Sequence, residues 1–115
     1  MALRDTNTGQ YIVYKDTNFE NGLFTIYIYE NQDHRNAGDN DFRHFVEKNI
    51  LFNKDNFKSF LDDYPYNEDR TFRLNMVTAA YDYMMTRMEN IDGYNVSDLE
   101  DVLADDQAPS IFRGI

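Results

Sequence analysis

Two runs of strand-forming residues near the start of the chain predict a β-hairpin. Residues 10–15 contain tyrosine, isoleucine and valine in a row, a composition that favours a strand. The run "LFTIYIYE", residues 23–30, alternates between two faces, with Phe24, Ile26 and Ile28 on one and Leu23, Thr25, Tyr27 and Tyr29 on the other. Between the runs, "DTNFENG" ends in Asn21-Gly22, which suits a tight turn. Because two strands alone are marginally stable, this hairpin of residues 1–30 must pack on helices or join a larger or intermolecular sheet.

Residues 39–92 have apolar residues at helical spacing and are predicted to form a helical core. A polar loop at 31–41 leads into a first helix that starts at Asp39 or Asn40. Its apolar face consists of Phe42, Phe45, Val46 and Ile50.

Two further helices are predicted from their capping signals. One has Asn53 as its N-cap, with Phe52 and Phe57 placed as a hydrophobic staple, and it stops before Pro65. The longest runs over about residues 68–91, with Asn67 as its cap and Gly93 as its C-terminal glycine. Its methionines indicate core filling or an adaptable binding face.

The last part of the chain, residues 95–115, is predicted as a short acidic helix with an apolar tail. Ser97 and Glu100 have the spacing of a capping box ahead of Leu99, Val102 and Leu103. The whole chain, residues 1–115, is therefore predicted as a single α+β domain in which the hairpin packs on three to four α-helices.

The charge of the chain limits its partners. The formal net charge is −10 over 115 residues. Nucleic acid and anionic membrane surfaces require clustered Lys and Arg, so we expect neither as a direct partner and favour a basic protein. The chain has no cysteine, which excludes disulfides, thiol nucleophiles and cysteine-ligated zinc. We also expect no secretory signal, because the first residues lack an apolar segment, and no membrane span.

A repeated "DTN" segment raises the question of a calcium site. Calcium loops of the helix–loop–helix type place a bidentate glutamate at position 12, but the twelfth residue is Asp16 when counted from Asp5, and Tyr27 when counted from Asp16. The repeat is more simply explained as turns before strands. The histidines, His34 and His44, lie near aspartates, but their spacing does not force them together. We expect no metal, no cofactor and no catalytic residues.

Two regions are predicted to bind a protein partner. Tyr27 and Tyr29 lie on the hairpin face that is expected to be exposed. From Met88 to Phe112 the chain has seven acidic residues and no Lys or Arg. This stretch is either a solvated surface or a docking element in which Asp98, Asp101 and Asp105 steer a partner while Ile111 and Phe112 anchor it.

The opening "MALRDTNTGQYIVY…LFTIYIYE" resembles the N-termini of small bacteriophage virion-assembly proteins of the tail or neck type. The shared features are the Met-Ala-Leu start, the turn and the paired Tyr/Ile strands, and they cover about the first quarter of the chain. The resemblance implies a phage tail, neck or connector component located in the virion or host cytoplasm, and no catalytic residues.

Two functions are consistent with these patterns. The first is a non-catalytic assembly protein that works as a homo-oligomer or within a larger assembly. The alternative is an acidic inhibitor, such as a nucleic-acid mimic or an anti-defence or immunity-type protein, that blocks a basic nucleic-acid-binding enzyme. Basic residues are interspersed with acids over the first three quarters of the chain, and this mixture favours the assembly role.

Overall fold

The computed structural model describes residues 2–37 and 44–102, which form a mixed α+β fold. The elements in chain order are β1 (Ala2–Asp5), β2 (Tyr11–Asn18), β3 (Leu23–Tyr29), α1 (Gln32–Ala37), β4 (Phe45–Leu51), α2 (Lys54–Asp62), α3 (Phe72–Arg87), β5 (Asn90–Ile91), β6 (Tyr94–Asn95) and β7 (Leu99–Val102). Five strands make one antiparallel sheet in the order β4-β3-β2-β1-β7, and β5 with β6 makes a small hairpin.

The two predicted strands are confirmed as β2 and β3, but they are not an isolated hairpin. β4 pairs with the outer side of β3, and β1 pairs with the outer side of β2. The expectation that this strand pair forms an edge for another chain is therefore wrong, because both strands are interior. The edges of the sheet are β4 and β7.

The prediction of a first helix starting at Asp39 or Asn40 is also wrong for the residues that the structure describes. Residues 45–51 are strand β4, paired with β3 along its whole length from Tyr29 opposite Phe45 to Leu23 opposite Leu51. Helical spacing would put Phe45, Val46 and Ile50 on one face, whereas the strand sends Phe45 to one face of the sheet and Ile50 to the other. Residues 38–43 lie outside the described ranges. The polar loop before them contains the short helix α1.

The second and third predicted helices exist with shifted boundaries. Asn53 caps α2 by accepting a hydrogen bond from the Asn56 N–H at 3.0 Å, and the rings of Phe52 and Phe57 lie 5.0 Å apart, as the predicted staple requires. α3 is shorter than predicted, because its N-cap is Thr71 rather than Asn67.

The C-terminal region is a strand rather than the predicted helix. Residues 96–98 form a 3₁₀ turn, and β7 then pairs with β1. Glu100 does not complete a capping box but forms an ion pair with Arg4 at 2.6 Å. Gly93 lies in the turn of the β5–β6 hairpin with a φ of 87° rather than at the end of a helix. Residues 103–115, including the whole predicted tail, lie outside the described ranges.

The sheet has two differently covered faces. On the helix face, α2 and α3 pack against β1, β2, β3 and β4 through a large cluster that includes Phe24, Phe57, Tyr81, Tyr83 and Met84. On the opposite face, here called the tyrosine face, a smaller cluster of buried residues consists of Ala2, Tyr11, Val13 and Tyr29. Burying both faces explains why β2 and β3 are nearly continuous in apolar and aromatic residues.

Candidate interaction surfaces

A β-bulge in β2 organises one end of the sheet. Tyr14 is opposite Ile26 and Asp16 is opposite Thr25, so β2 has one residue more than β3 over this stretch. The Tyr14 N–H donates a hydrogen bond of 2.7 Å to the hydroxyl oxygen of Tyr81 on α3. The bulge therefore fixes the position of α3 on the sheet.

A groove, here called the bulge groove, lies between the bulge and the start of α3. It is lined by residues 14–17 and Phe19 on one side and by Phe72, Arg73, Met76 and Val77 on the other, and its volume is about 440 Å³. Phe72 is 81% exposed and Phe19 is 47% exposed. Two exposed aromatic rings that line one concave surface indicate a contact surface rather than scattered surface residues.

The polar residues of the bulge groove that interact with the Tyr14 hydroxyl are Thr17, Asp16 and Arg73. The Tyr14 hydroxyl oxygen is 2.5 Å from Thr17 Oγ1. Burial raises the pKa of the Tyr14 hydroxyl, while the Thr17 hydrogen bond and the charge of Arg73 lower it in part. Within the described residues Arg73 has no hydrogen bond or ion pair. The lining of the groove thus includes two basic residues, Lys15 and Arg73, and one acidic residue, Asp16. Lys15 Nζ lies over the Tyr27 ring, so Arg73 is the basic residue of the groove that has no partner among the described residues.

A second, larger groove lies between α2 and α3. Its volume is about 800 Å³, and its lining includes Phe60, Tyr64, Asp82 and Arg87. The Tyr64 hydroxyl donates a 2.5 Å hydrogen bond to Asp82 Oδ2, and the Arg87 guanidinium lies 5.5 Å from the Phe60 ring centroid. Burial and the Asp82 hydrogen bond raise the pKa of Tyr64. These groups satisfy one another and hold the two helices together.

The two histidines come together in the structure, which their spacing in the sequence did not predict. The ring centroids of His34 and His44 are 5.0 Å apart and the rings are stacked at 30°. Within residues 2–37 and 44–102, however, no three His, Asp or Glu side chains are grouped so that they could hold a metal ion.

The edge strand β4 carries exposed apolar residues. Val46 is 55% exposed and Leu51 is 75% exposed. The strand has seven residues, whereas the other edge strand, β7, has four. β4 is therefore the longer edge in the described part of the sheet, and unpaired strand edges are templates for pairing with another chain.

The two tyrosines predicted to bind a partner differ in exposure. Tyr29 is fully buried beneath the Arg35 guanidinium, which lies 5.7 Å from the ring centroid, so the expectation that Tyr29 faces outward is wrong. Tyr27 is half-buried, stacks on Phe45 at a centroid distance of 4.0 Å, and has Lys15 Nζ 5.0 Å from its ring centroid. A partner-binding role for Tyr27 stays a prediction.

The predicted acidic residues are separated by the fold. The Asp98 carbonyl oxygen accepts hydrogen bonds from Thr6, and the Asp98 side chain is half-buried. Asp101 is oriented toward the helix face, where burial and the charge of Asp82 raise its pKa. Asp105, Ile111 and Phe112 lie outside the described residues.

The sequence did not single out Phe19, Phe72 and Arg73 as site residues. Phe72 fits the apolar stripe of α3, and only its position at the first residue of the helix separates it from the buried part of that stripe. A usable signal was the low amphipathicity of α3, since apolar residues around a helix indicate contacts on more than one side.

Comparison of the chain with protein-family models, curated proteins and solved structures gives no match. In the part of the chain that the structure describes, no helix combines the length and the apolar character needed to cross a bilayer.

Proposed function

We propose that this chain is a non-catalytic assembly protein that joins neighbouring proteins through its sheet edge. The observation that supports this proposal is the seven-residue β4 edge, which presents exposed Val46 and Leu51 and whose outer side pairs with no other strand of residues 2–37 and 44–102. An extended segment of another protein would continue the sheet by main-chain hydrogen bonds, and these apolar side chains would contact it.

The charges of β4 favour a different protein over a second copy as the partner at this edge. Two copies paired about a two-fold axis normal to the sheet keep their helices on one side, so residues pair only with residues of the same face. In the register with full overlap, Lys48 of one copy lies opposite Lys48 of the other. A shift of two residues in one direction sets Glu47 opposite Glu47. The same shift in the other direction sets Lys48 opposite Ile50 and Glu47 opposite Leu51. Like charges directly opposite each other destabilise strand pairing.

We further propose a bacteriophage setting, as a tail, neck or connector component. The support is the resemblance of the first quarter of the chain to small virion-assembly proteins. The alternative, an acidic inhibitor, has less support from the described residues. Of the acids near the end of the described chain, Glu100 is paired with Arg4 on one face of the sheet and Asp101 lies opposite Leu3 on the other face, so the two do not form one row of free carboxylates.

Site-specific photocrosslinking tests the proposal. A photoreactive amino acid replaces Leu51 in the full chain, which is expressed in cells producing the phage particles. A matched control places the same group at exposed Glu89, away from β4. We expect one discrete adduct with a particle protein from position 51 and none from position 89. If purified particles contain the chain but position 51 gives no adduct, the edge is not the contact. If purified particles lack the chain, the virion role is wrong.

A further inference from the structure

The bulge groove is an apolar surface that the proposed edge contact leaves unused. Phe19, Phe72 and Met76 line it, and it lies beside β2, whereas β4 is at the far edge beyond β3. An exposed phenylalanine at 81% contributes little to the stability of the single chain. A contact that covers Phe72 and Phe19 together would bury two rings, the kind of side chain that dominates binding energy at interfaces.

The charge of the groove selects an acidic ligand with apolar residues. Arg73 lines the groove and has no ion pair or hydrogen bond in the described ranges. It is also in the first turn of α3, where the helix dipole favours anions. Asp16, on the β2 side of the groove, would repel a carboxylate of the ligand. We therefore expect that carboxylate to lie on the α3 side, next to Arg73. An acidic segment followed by aromatic or aliphatic anchors would match this arrangement.

The chain itself contains such a segment. Residues 103–115 read "LADDQAPSIFRGI", with Asp105 and Asp106 ahead of Ile111 and Phe112. The acids match Arg73, and the apolar pair matches the rings of Phe19 and Phe72.

The topology directs this segment toward the end of the sheet that holds the groove. β7 is antiparallel to β1, and β1 is antiparallel to β2, so β7 and β2 run in the same direction. Leu3 of β1 pairs with Asp101 of β7 on one side and with Ile12 of β2 on the other. Val102, the last residue of β7, is therefore level with Val13 of β2. The lateral separation is two strand spacings, or about 10 Å, and thirteen residues can span up to about 40 Å. The described chain therefore ends at Val102, on the side of the sheet that holds the groove and within reach of it for thirteen further residues.

We propose that the bulge groove of one copy binds residues 103–115 of a second copy, with Arg73 contacting Asp105 or Asp106 and with Phe112 between Phe19 and Phe72. Two copies that face each other at this end exchange segments reciprocally, which gives a closed two-fold dimer. The inference rests on the assembly role, since a segment that binds a neighbour serves an assembly protein. It uses a surface separate from β4, so each contact can fail independently of the other.

Self-association of the full chain, measured by sedimentation over a range of concentrations, tests the proposal. We expect a dimer that Phe72→Ser weakens at least about tenfold, as loss of a buried ring anchor does. Leu51→Ser is the matched control, because Leu51 is also an exposed apolar side chain but lies on β4. A synthetic peptide of residues 103–115 should dissociate the dimer, and Phe112→Ala should weaken it like Phe72→Ser.

Several outcomes overturn the proposal. They are a monomer at every concentration, a dimer that ignores both Phe72→Ser and the peptide, and a dimer lost with Leu51→Ser but kept with Phe72→Ser. The last result would support contact through the β4 edge, but with a second copy as the partner, contrary to the argument from the charges of β4. Circular dichroism of each variant verifies that the fold is retained, which the exposure of both positions favours.

A charge exchange identifies the polar contact. Arg73→Glu should weaken the dimer, and Asp105→Lys with Asp106→Lys in the same chain should restore it, because the new charges again attract across the interface. Restoration supports the assigned pairing. If Arg73→Glu has no effect, or if the lysines do not restore association, the acidic residues do not contact Arg73 and the proposed orientation is wrong.

Discussion

The two faces of the central sheet are built from similar residues but are packed very differently. On the helix face the Phe24 ring lies 4.3 Å from Phe52 and 5.0 Å from Phe57 by centroid distances, and Phe57 lies 4.8 Å from Tyr83 on α3. On the tyrosine face the closest ring pair is Tyr27 on Phe45, and both rings are half-buried. The helix face therefore brings together rings from β3, α2, α3 and the connection between β4 and α2, whereas this ring pair joins only adjacent strands.

Because of this difference, we expect the residues that stabilise the fold to be distinct from the residues that contact partners. Buried rings from β3, α2, α3 and the β4–α2 connection tie these parts of the chain into one cooperative core. The half-buried pair on the tyrosine face, the β4 edge and the bulge groove are the surfaces left over, and changes there should alter association more than folding. The predictions below test that separation, from the largest expected effect to the smallest.

The largest expected loss is that of Phe24→Ala, at the centre of the helix face. Phe24 is fully buried and contacts rings from β2, α2, α3 and the connection between β4 and α2. Removing a buried phenylalanine ring costs about 3–5 kcal/mol of unfolding free energy, because a cavity remains that its neighbours fill only in part. Urea denaturation of the variant and the parent chain measures this loss.

An intermediate loss is expected for Tyr81→Phe, which keeps the ring and removes the hydroxyl. The Tyr14 N–H at the bulge would lose its 2.7 Å acceptor in a half-buried position. Leaving such a group without an acceptor costs about 1–3 kcal/mol. The same denaturation experiment applies. A variant as stable as the parent would show that water replaces the Tyr81 hydroxyl at the bulge and that this bond does not fix α3.

A smaller loss is expected for Tyr27→Ala on the tyrosine face. The substitution removes a stacked ring pair, a contribution of about 0.5–1.5 kcal/mol, together with part of the half-buried ring area. The informative quantity is the difference from Phe24→Ala. Equal losses at the two positions would mean that both faces stabilise the fold alike, and the separation of stability from contact would have to be abandoned.

Local signals in the sequence predicted α2 well and β4 badly, for a physical reason. The start of α2 depends on Asn53, Phe52 and Phe57, which lie within a few residues of one another. The strand β4 depends on β3, which lies on the other side of α1, and its apolar residues at 45, 46 and 50 fit a helix or a strand equally well. Tertiary pairing decided between them, as propensity alone could not.

The candidate site shows the same limit. The sequence predicted Tyr14 in a strand, but it assigned Thr17 to the turn, whereas β2 continues to Asn18. The bulge between Tyr14 and Thr17 depends on the register with β3. The exposure of Phe72 depends on where α3 lies relative to β2, which the Tyr81 hydrogen bond to the bulge helps to fix. A helical spacing of apolar residues placed Phe72 in the core stripe and gave no information on where that stripe ends.

The smallest expected effects concern neighbouring residues of β7 and should have opposite signs. Glu100 pairs with Arg4 on the tyrosine face, so Glu100→Gln should lower the melting temperature slightly, and high salt should remove the difference. Asp101 is oriented toward the helix face, where burial and the nearby Asp82 raise its pKa. The folded state therefore binds the Asp101 proton more tightly than the unfolded state does, and the ionised carboxylate at neutral pH destabilises the fold.

Asp101→Asn should consequently raise the melting temperature at neutral pH. The gain should shrink as the pH falls through the raised pKa and vanish below the ordinary pKa of an aspartate, where the carboxyl group is protonated in both states. Thermal denaturation of both variants from neutral to acidic pH measures the two signs. If Asp101→Asn is destabilising at neutral pH, the Asp101 carboxylate makes a favourable contact. The charges of Glu100 and Asp101 would then both stabilise the fold, and the predicted difference between the two faces would be wrong.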